Sequence, residues 1–380
     1  MWLDQPRNPN SPLAGLKVLE LARVLAGPWT GQILADLGAD VIKVESPEGD
    51  STRQWGPPWV EHEGERTAAY YHACNRGKRG IVADFRGAED LARLKELAAG
   101  ADVVIENFKP GTLVKFELDY QALAAANPAL VYCSITGFGQ DGPRRDEPGY
   151  DFVVQGMSGF MALTGEPEGA PMKMGISVSD LSCGVWAANA VQAALLMRHR
   201  TGKGQWIDMA LMDCSVALLA NQGLSYFATG ANPPRMGNAH AQVGPYGVYP
   251  VADGHVILAP ANDGLFHRLM KLLERAELAQ DPRFATNGGR IEHRTPLESA
   301  IAEAASGWTQ ADLLAACREA GVPAGPINNL DAVFADPQVR ARGLQIELDG
   351  MPGVRSPFTF SDAELALDRA SPRHGEHQPD

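Results

Sequence analysis

The sequence predicts an α/β protein in which a large, doubly wound domain is accompanied by a smaller α+β domain. Short apolar runs alternate with helical segments through the N-terminal third of the chain, a pattern typical of an open parallel sheet. At 380 residues the chain is long enough for two domains. We expect a large domain from residues 1–225, a small domain from 226–321, and a return segment, 322–380, that rejoins the large domain.

The first βαβ unit is predicted by a strand over 17–21, a helix over 29–37 that stops at Gly38, and a strand over 40–45. Two strands joined by one helix imply parallel pairing with a right-handed crossover. Asp253-Gly254 predicts the turn of a hairpin within 249–262. The same reading predicts further strands over 81–84, 102–106, 130–135 and 206–210, and helices over 87–99, 120–126, 180–200 and 213–228.

Composition restricts the classes of partner and compartment. A formal net charge of −13 argues against nucleic acid or an anionic membrane surface as the main partner, because both select basic surfaces. The five cysteines are widely spaced and form no Cys-x-x-Cys, so a disulfide framework or a zinc cage is not expected. Neither a secretory signal nor an apolar run of about 18 residues is present, and we expect a cytoplasmic protein without a membrane span.

Two sequence features suggest a phosphorylated ligand rather than a dinucleotide. The first βα turn, residues 22–28, lacks the Gly-x-Gly-x-x-Gly spacing that lets backbone approach a pyrophosphate. A basic cluster, residues 75–79, precedes one strand, and Lys109 and Lys115 follow another. Basic groups at strand ends suit phosphate, although a solvated surface cluster is an equally plain reading of the same residues.

Three acidic residues stand where a catalytic carboxylate would be placed. Glu168 lies in a Gly/Pro-rich loop over 164–171, Asp151 follows Gly149-Tyr150, and Asp180 precedes a long apolar helix. Each also has a structural reading as a solvated loop acid or a helix cap, and Asp180 is well placed as an N-cap. The sequence contains no Ser nucleophile elbow and no His-Glu-x-x-His motif.

An ordered set of motifs resembles the family III CoA-transferases, the CaiB/BaiF group, from about Pro12 to Pro357. The stretches that carry the resemblance are 12–18, 34–45, 75–79, 106–111, 137–143, 149–151, 201–205 and 321–326. The resemblance implies a Rossmann-like large domain built from both chain ends and a homodimer of two interlocked rings. It also implies an enzyme that moves coenzyme A (CoA) from an acyl-CoA to a free carboxylic acid, with no metal.

The resemblance further implies the site residues. The family's nucleophilic aspartate is replaced here by Glu168, with Asp151 and Asp180 as the alternatives, and the mechanism passes through a mixed anhydride and an enzyme-bound thioester. Backbone at Gly237 would hold the developing oxyanion. Substrate contacts are expected from Tyr150, Asp151, His240 and Gln242. CoA contacts are expected from Leu25, Ala26, Arg76, Lys78, Arg79, Asn107, Phe108, Lys109, Lys115, Thr136, Gly137, Phe138 and Gly139.

Two other functions share parts of this pattern. An alpha-methylacyl-CoA racemase uses an Asp and a His as paired acid and base, and the two positions correspond here to Asp180 and Tyr150. Tyrosine, with a pKa near 10, is a poor base at neutral pH. A non-catalytic acyl-CoA-binding protein is the second alternative, because Glu168 departs from the family's aspartate.

Overall fold

A computed structural model describes residues 2–62 and 64–378 of the chain. The strands are β1 Lys17–Glu20, β2 Asp40–Glu45, β3 Trp59–His62, β4 Glu65–Ala68, β5 Arg79–Val82, β6 Val103–Glu106, β7 Val131–Thr136, β8 Gln205–Ala210, β9 Gly247–Val251, β10 Gly254–Leu258, β11 Ala324–Pro326, β12 Gln345–Leu348 and β13 Met351–Val354. The helices are α1 Ala26–Asp36, α2 Ala69–His72, α3 Ala88–Ala99, α4 Tyr120–Ala126, α5 Asp151–Met157, α6 Phe160–Leu163, α7 Val178–Thr201, α8 Leu211–Ala217, α9 Ala220–Thr229, α10 Asp263–Leu272, α11 Ala276–Gln280, α12 Asn287–Glu292, α13 Arg294–Ala305, α14 Gln310–Ala320, α15 Leu330–Ala335 and α16 Pro337–Ala341. Short 3₁₀ turns occupy Ser51–Gln54, Val114–Phe116 and Pro282–Phe284.

Six strands of the described chain form a parallel sheet in the order β5-β2-β1-β6-β7-β8. Alternate residues of each strand enter different cores, because side chains of a strand point to opposite faces. Val18 belongs to one core with the α1 residue Leu34, and Leu19 belongs to another with the α3 residue Leu94. Helices therefore cover both faces of the sheet, and the predicted α/β class with parallel strands is confirmed.

The helix that follows the long central loop begins earlier than predicted. α7 starts at Val178, with Ser177 at the N-cap position, so Asp180 is the third helical residue and not the cap. An acidic side chain in the first turn still interacts favourably with the positive end of the helix dipole. The predicted helix over 213–228 is instead two helices, α8 and α9, and Ala220 at their junction has a φ of 41°.

The chain divides into two compact units whose bounds differ from the prediction. The large unit comprises residues 1–161, 173–230 and 337–380, and the small unit comprises 162–172 and 231–336. In the small unit, β11-β10-β9 form an antiparallel sheet, and the predicted hairpin turn at Asp253-Gly254 joins β9 to β10. Residues 324–326 were expected in the return segment, but they pair with β10, so the chain rejoins the large unit only at Pro337.

The small unit has a hydrophobic core of its own. Phe266 and Leu269 of α10 pack with Ile301 of α13 and Leu313 of α14 beneath the three-stranded sheet. The segment 162–172, which carries Glu168, belongs to this unit although it lies far from residue 231 in the sequence. Among the described helices, none combines the length and the apolar character that crossing a membrane requires.

Gly204, just before β8, packs closely against Leu130, just before β7, and its substitution tests this contact. A Cβ added at Gly204 would lie 1.9 Å from the carbonyl oxygen of Leu130, which is backbone and cannot swing away. We predict that Gly204→Ala lowers the free energy of unfolding by about 2–3 kcal/mol. Urea unfolding followed by circular dichroism measures the change. Gly175→Ala, where no atom lies within 4 Å of the added Cβ, is the control and should stay within about 0.5 kcal/mol.

Candidate active site

A cavity of about 430 Å³ opens where β1, β6 and β7 end in the large unit. The carboxyl ends of parallel strands meet at one edge of the sheet, and loops at that edge commonly bind ligands. The cavity wall comes from the turn after β1, the loops after β6 and β7, and the first turn of α7. Its lining includes Leu25, Ala26, Asn107, Phe108, Lys109, Thr136, Gly137, Arg145, Tyr150 and Asp180.

The backbone itself forms part of this wall because two glycines meet there. A Cβ on Gly137 would lie 2.4 Å from the Cα of Gly149, and a Cβ on Gly149 would lie 2.2 Å from the Cα of Gly137. Only glycine permits backbones to approach so closely. Thr136, just before Gly137, accepts a hydrogen bond from the Gly139 N–H at 2.9 Å and so fixes the turn after β7.

Asp180 is the half-buried carboxyl group of the cavity. Burial, together with the negative charge of Asp151, raises its pKa to about 7. Asp146 and Glu147, which also line the cavity, are exposed to solvent. Asp151 is committed to structure: its carboxylate accepts from the Ser179 N–H at 2.9 Å and from the side-chain amide of Gln155 at 2.7 Å.

A second cavity of about 410 Å³ lies beside the ends of β2 and β5, and its wall contains aromatic rings, cations and the acidic residues Glu45, Glu48, Asp50 and Asp84. The Phe85 ring lies 5.8 Å from that of Phe108 and 5.5 Å from that of Phe116, and the guanidinium of Arg23 stands 5.6 Å from the Phe108 ring. Arg86 also lines this cavity. Aromatic faces beside guanidinium groups are suited to a purine base with phosphates.

The loop that carries Glu168 is fastened within the small unit. The Gly237 N–H donates to the carbonyl of Gly165 at 3.0 Å, and the Arg235 guanidinium donates to the carbonyl oxygens of Glu166 and Gly169 at 3.3 and 2.7 Å. A Cβ on Gly237 would lie 2.8 Å from a carboxylate oxygen of Glu166. It is therefore Glu166 that lies against Gly237, while Glu168 is exposed on the turn.

The remaining predicted substrate contacts also lie in the small unit. His240 Nδ1 accepts a hydrogen bond from the Gln242 N–H at 3.1 Å, and its ring lies edge-on to Tyr246 at 5.3 Å. The carbonyl oxygen of His240 accepts from Arg294 at 2.7 Å, and that of Gln242 accepts from Asn287 at 2.9 Å. The segment 240–242 is thus held through its backbone by side chains of α12 and α13.

Comparison with known proteins decides the family. The family model for CoA-transferase family III matches residues 13–378. The chain belongs to CoA-transferase family III. It is 54% identical to the succinate–glutarate CoA-transferase of Agrobacterium fabrum, over 99% of this chain and 96% of that one, and 37% identical to the human succinyl-CoA:glutarate CoA-transferase, over 99% and 87%. A solved CAIB/BAIF family protein from Brucella suis superposes with a TM-score of 0.89 at 57% identity, covering 97% of each chain.

This membership confirms the activity predicted from the sequence. The chain is a CoA-transferase, an enzyme that moves CoA from an acyl-CoA thioester to a free carboxylic acid. Seven of the thirteen residues that the resemblance assigns to CoA line the cavity near Asp180. Phe138 and Gly139 follow Gly137 but are outside that lining, and Lys115 is exposed, with its ammonium 4.8 Å from the Phe116 ring.

The basic cluster that the resemblance assigns to CoA has side chains already engaged within the protein, which argues against their pairing with phosphate. Arg76, Lys78 and Arg79 are buried, with 7%, 0% and 8% of their surface exposed, and each is paired inside the large unit. The closest pairs are Arg76 Nη2 with Asp36 Oδ2 at 2.6 Å, Lys78 Nζ with Glu20 Oε2 at 2.8 Å, and Arg79 Nη2 with Asp40 Oδ2 at 2.7 Å. A buried cation with a carboxylate already beside it cannot turn to a phosphate without breaking that buried ion pair.

Phe85 and Arg86, which sequence reasoning did not single out, lie in the loop after β5 and line the second cavity. Their position at the carboxyl end of a parallel strand was the available signal. Asn107, which the resemblance assigns to CoA, lines the cavity near Asp180, and its side-chain amide accepts from the Arg23 N–H and donates to the Arg23 carbonyl. Its side chain is therefore engaged with protein backbone in this arrangement.

The raised pKa of Asp180 predicts a pH-dependent stability penalty. The native carboxyl has a pKa of about 7 and an unfolded one about 3.9, so stability is lost as pH rises from about 4 through 7. We predict that at pH 8 the free energy of unfolding of Asp180→Asn is higher than that of the natural chain by on the order of 2 kcal/mol. This is below the full value of the shift because the carboxyl is partly solvated. Urea titrations from pH 4 to pH 8 measure it, and a gain that does not shrink toward pH 4 would contradict the assignment.

Proposed function

We propose that this enzyme transfers CoA between short dicarboxylic acids, with succinyl-CoA as donor and glutarate or an acid of similar size as acceptor. The names of the two relatives given above support this choice. The cavity that contains Asp180 also presents the cationic side chains of Arg23, Lys109 and Arg145. A guanidinium can pair with the second carboxylate of such an acid through two parallel hydrogen bonds.

Asp180 is the proposed nucleophile. One observation carries this choice: its half-buried carboxyl group shares a single cavity with Leu25, Ala26, Phe108 and Gly137, which the family resemblance assigns to CoA. A partly desolvated carboxylate is a better nucleophile than a fully hydrated one, and loss of water also limits hydrolysis of an anhydride. The Glu168 assignment made from the sequence remains as the alternative.

The reaction requires the chain's carboxylate and the two substrates only. The Asp180 carboxylate attacks the thioester carbonyl, the C–S bond breaks, and an acyl-aspartyl anhydride and CoA thiolate result. The thiolate attacks the aspartyl carbonyl, which releases the donor acid and leaves CoA as a thioester on Asp180. The acceptor carboxylate attacks that thioester to form a new anhydride, and the thiolate then takes the acyl group and restores Asp180.

Backbone N–H groups of α1 are suited to stabilise the oxyanion that each of these steps generates. Ala26 is the first residue of α1, and the N-cap residue Leu25 provides no side-chain cap for the helix start. Unpaired N–H groups at a helix start carry partial positive charge. Both residues line the Asp180 cavity, so this charge is available where negative charge develops on oxygen.

The nucleotide end of CoA is proposed to occupy the aromatic cavity. Phe85, Phe108 and Phe116 offer faces for the adenine ring, and Arg23 and Arg86 offer guanidinium groups for phosphates. Phe108 and Arg23 line both cavities, so a single extended molecule can pass from one to the other. This placement replaces the buried cluster at 76–79 as the phosphate contact.

A cytoplasmic homodimer, with the two chains interlocked, remains the proposed assembly. Buried free cysteines, such as Cys133 and Cys183, are compatible with a reducing compartment. Large apolar side chains of α7 and α9, including Leu196, Leu224 and Phe227, are exposed on the described chain. Clusters of such residues often mark surfaces that another chain covers.

Substitution of the two candidate carboxylates tests the function and the nucleophile together. We predict that Asp180→Asn lowers kcat for label exchange between succinyl-CoA and glutarate by about 10³-fold or more, because the amide cannot form the anhydride. Glu168→Gln should retain at least about a third of kcat. Asp213→Asn is the control, since Asp213 also stands in the first turn of a helix of the same unit but outside the cavity.

Trapping identifies the covalent intermediate directly. Borohydride added during incubation with succinyl-CoA should reduce a thioester on Asp180 to the alcohol, and mass spectrometry of the peptide containing residue 180 should show that change. The same modification on the peptide containing residue 168, with full activity in Asp180→Asn, would establish Glu168 instead. Deuterium exchange at the α-carbon of a 2-methylacyl-CoA, without label transfer to free acid, would favour the racemase.

The nucleotide placement predicts a binding change at Arg86. Arg86 is 78% exposed in its side chain and forms an ion pair with the nearby Asp84, a weak pair that a phosphate can replace. We predict that Arg86→Ala raises the Kd of CoA about tenfold in low salt and less at high ionic strength. Isothermal titration calorimetry measures it. Lys95→Ala, another surface cation in an ion pair, lies outside the cavity and should leave the Kd unchanged.

A further inference from the structure

The turn between β1 and α1 contains a strained residue. Val24 has a φ of 73°, in the left-handed region that a β-branched side chain rarely occupies. The two following residues, Leu25 and Ala26, are buried and line the Asp180 cavity. Strain at such a position persists only where the surroundings hold it in place. The contacts around Val24 therefore show what keeps this wall of the cavity in position.

Side chains from other segments hold the backbone of this turn on each side of Val24. Asn107 accepts from the Arg23 N–H at 3.0 Å and donates to the Arg23 carbonyl at 2.6 Å. The Asp50 carboxylate accepts from the Val24 N–H, with oxygens at 3.2 and 3.4 Å. The Lys43 ammonium donates to the Ala22 carbonyl at 2.9 Å. Three consecutive residues of the turn are thus bonded to side chains from distant parts of the sequence.

Asp50 is itself fixed in place. Its carboxylate lies 3.1 Å from the Lys43 ammonium, and it accepts from the Thr52 N–H and hydroxyl at 3.0 and 2.8 Å. Its own N–H donates to Glu45 at 2.8 Å, and Glu45 pairs with Arg53 at 2.7 Å. Asp50 is 3% exposed, so these contacts are shielded from water. Hydrogen bonds and ion pairs are stronger there, and they fix the position of the Asp50 carboxylate.

We propose that Asn107 and Asp50 are positioning residues for CoA transfer, which hold Val24 in its left-handed conformation and so keep Leu25 and Ala26 on the wall of the Asp180 cavity. The proposal rests on the proposed function of that cavity. Without the hold, Val24 relaxes toward negative φ, and the start of α1 shifts relative to the reacting carbonyl. A displacement near 1 Å is enough to slow a reaction by about 100-fold.

Asn107 is the residue to change, because it is only half-buried and its loss should leave the fold intact. Asn107→Ala should lower kcat for CoA transfer on the order of 10- to 100-fold. Asn107→Asp keeps the acceptor for the Arg23 N–H and loses the donor to the Arg23 carbonyl, so it should fall between the natural enzyme and Asn107→Ala. A change in KM for succinyl-CoA should be smaller than the change in kcat.

Rescue distinguishes positioning from direct contact with CoA. Glycine adopts a φ of 73° without strain. The double variant Val24→Gly with Asn107→Ala should therefore have a kcat at least about fivefold higher than Asn107→Ala alone. Glu117→Gly is the matched control, because Glu117 also has positive φ, at 53°, in the same unit but away from the turn. Added to Asn107→Ala, it should restore nothing. A double variant with Val24→Gly that is no faster than Asn107→Ala would overturn the proposal, as would a loss confined to KM.

Hydrogen exchange separates this proposal from the proposed function. In Asn107→Ala the amide protons of residues 23 and 24 should exchange at least about tenfold faster than in the natural chain, whether or not substrate is turned over. Unchanged protection there would overturn the positioning role even if transfer is slowed. Absence of CoA transfer by the natural enzyme would refute the proposed function alone. The exchange rates would still show whether Asn107 restrains the backbone at Val24.

Discussion

A buried lysine connects the first strands of the sheet to the turn that forms the cavity wall. Lys43 on β2 has no exposed surface, and its ammonium lies 3.3 Å from Glu20, 3.1 Å from Asp50 and 2.9 Å from the Ala22 carbonyl. Burial alone would lower the pKa of Lys43, but Asp50 and Glu20 raise it, so the lysine stays charged. Removal of any one partner would leave a buried charge uncompensated, which is strongly destabilising. This constraint couples the stability of the large unit to the shape of its site.

The same constraint governs how α1 packs. A Cβ on Gly31 would lie 1.7 Å from a carboxylate oxygen of Glu20, so only glycine lets the helix approach this buried acid. Lys78 pairs with the same oxygen of Glu20 at 2.8 Å and also donates to the Pro28 carbonyl at 2.8 Å. The helix is thus fastened over the charged group, and its first turn, with Ala26, is held at the strand ends where the cavity opens.

Local patterns in the sequence predicted five of the six strands of the parallel sheet closely, missed the short hairpins β3-β4 and β12-β13, and predicted the ion pairs poorly, for a physical reason. A buried parallel strand is a short apolar run whatever surrounds it, so the strands ending at Glu20, Glu45 and Glu106 were found to within one residue. Whether a cation faces solvent or a buried carboxylate depends on residues far away in the chain, as with Arg76 and Asp36. For the same reason the sequence prediction put Glu168 in the large domain, whereas its loop belongs to the small unit and packs with residues near 237.

Burial separates the cations that build this protein from those that can bind its anionic substrates. Lys78 is wholly buried with Glu20, whereas the side chains of Arg86 and Lys109 are 78% and 61% exposed beside Asp84 and Asp146. Exposed pairs contribute little free energy, so a phosphate or carboxylate can displace the acid at small cost. A buried pair offers no such exchange. On the proposed placement of CoA, an enzyme with a net charge of −13 attracts an anionic thioester through a few weakly engaged cations at the strand ends, and not through its most basic stretch of sequence.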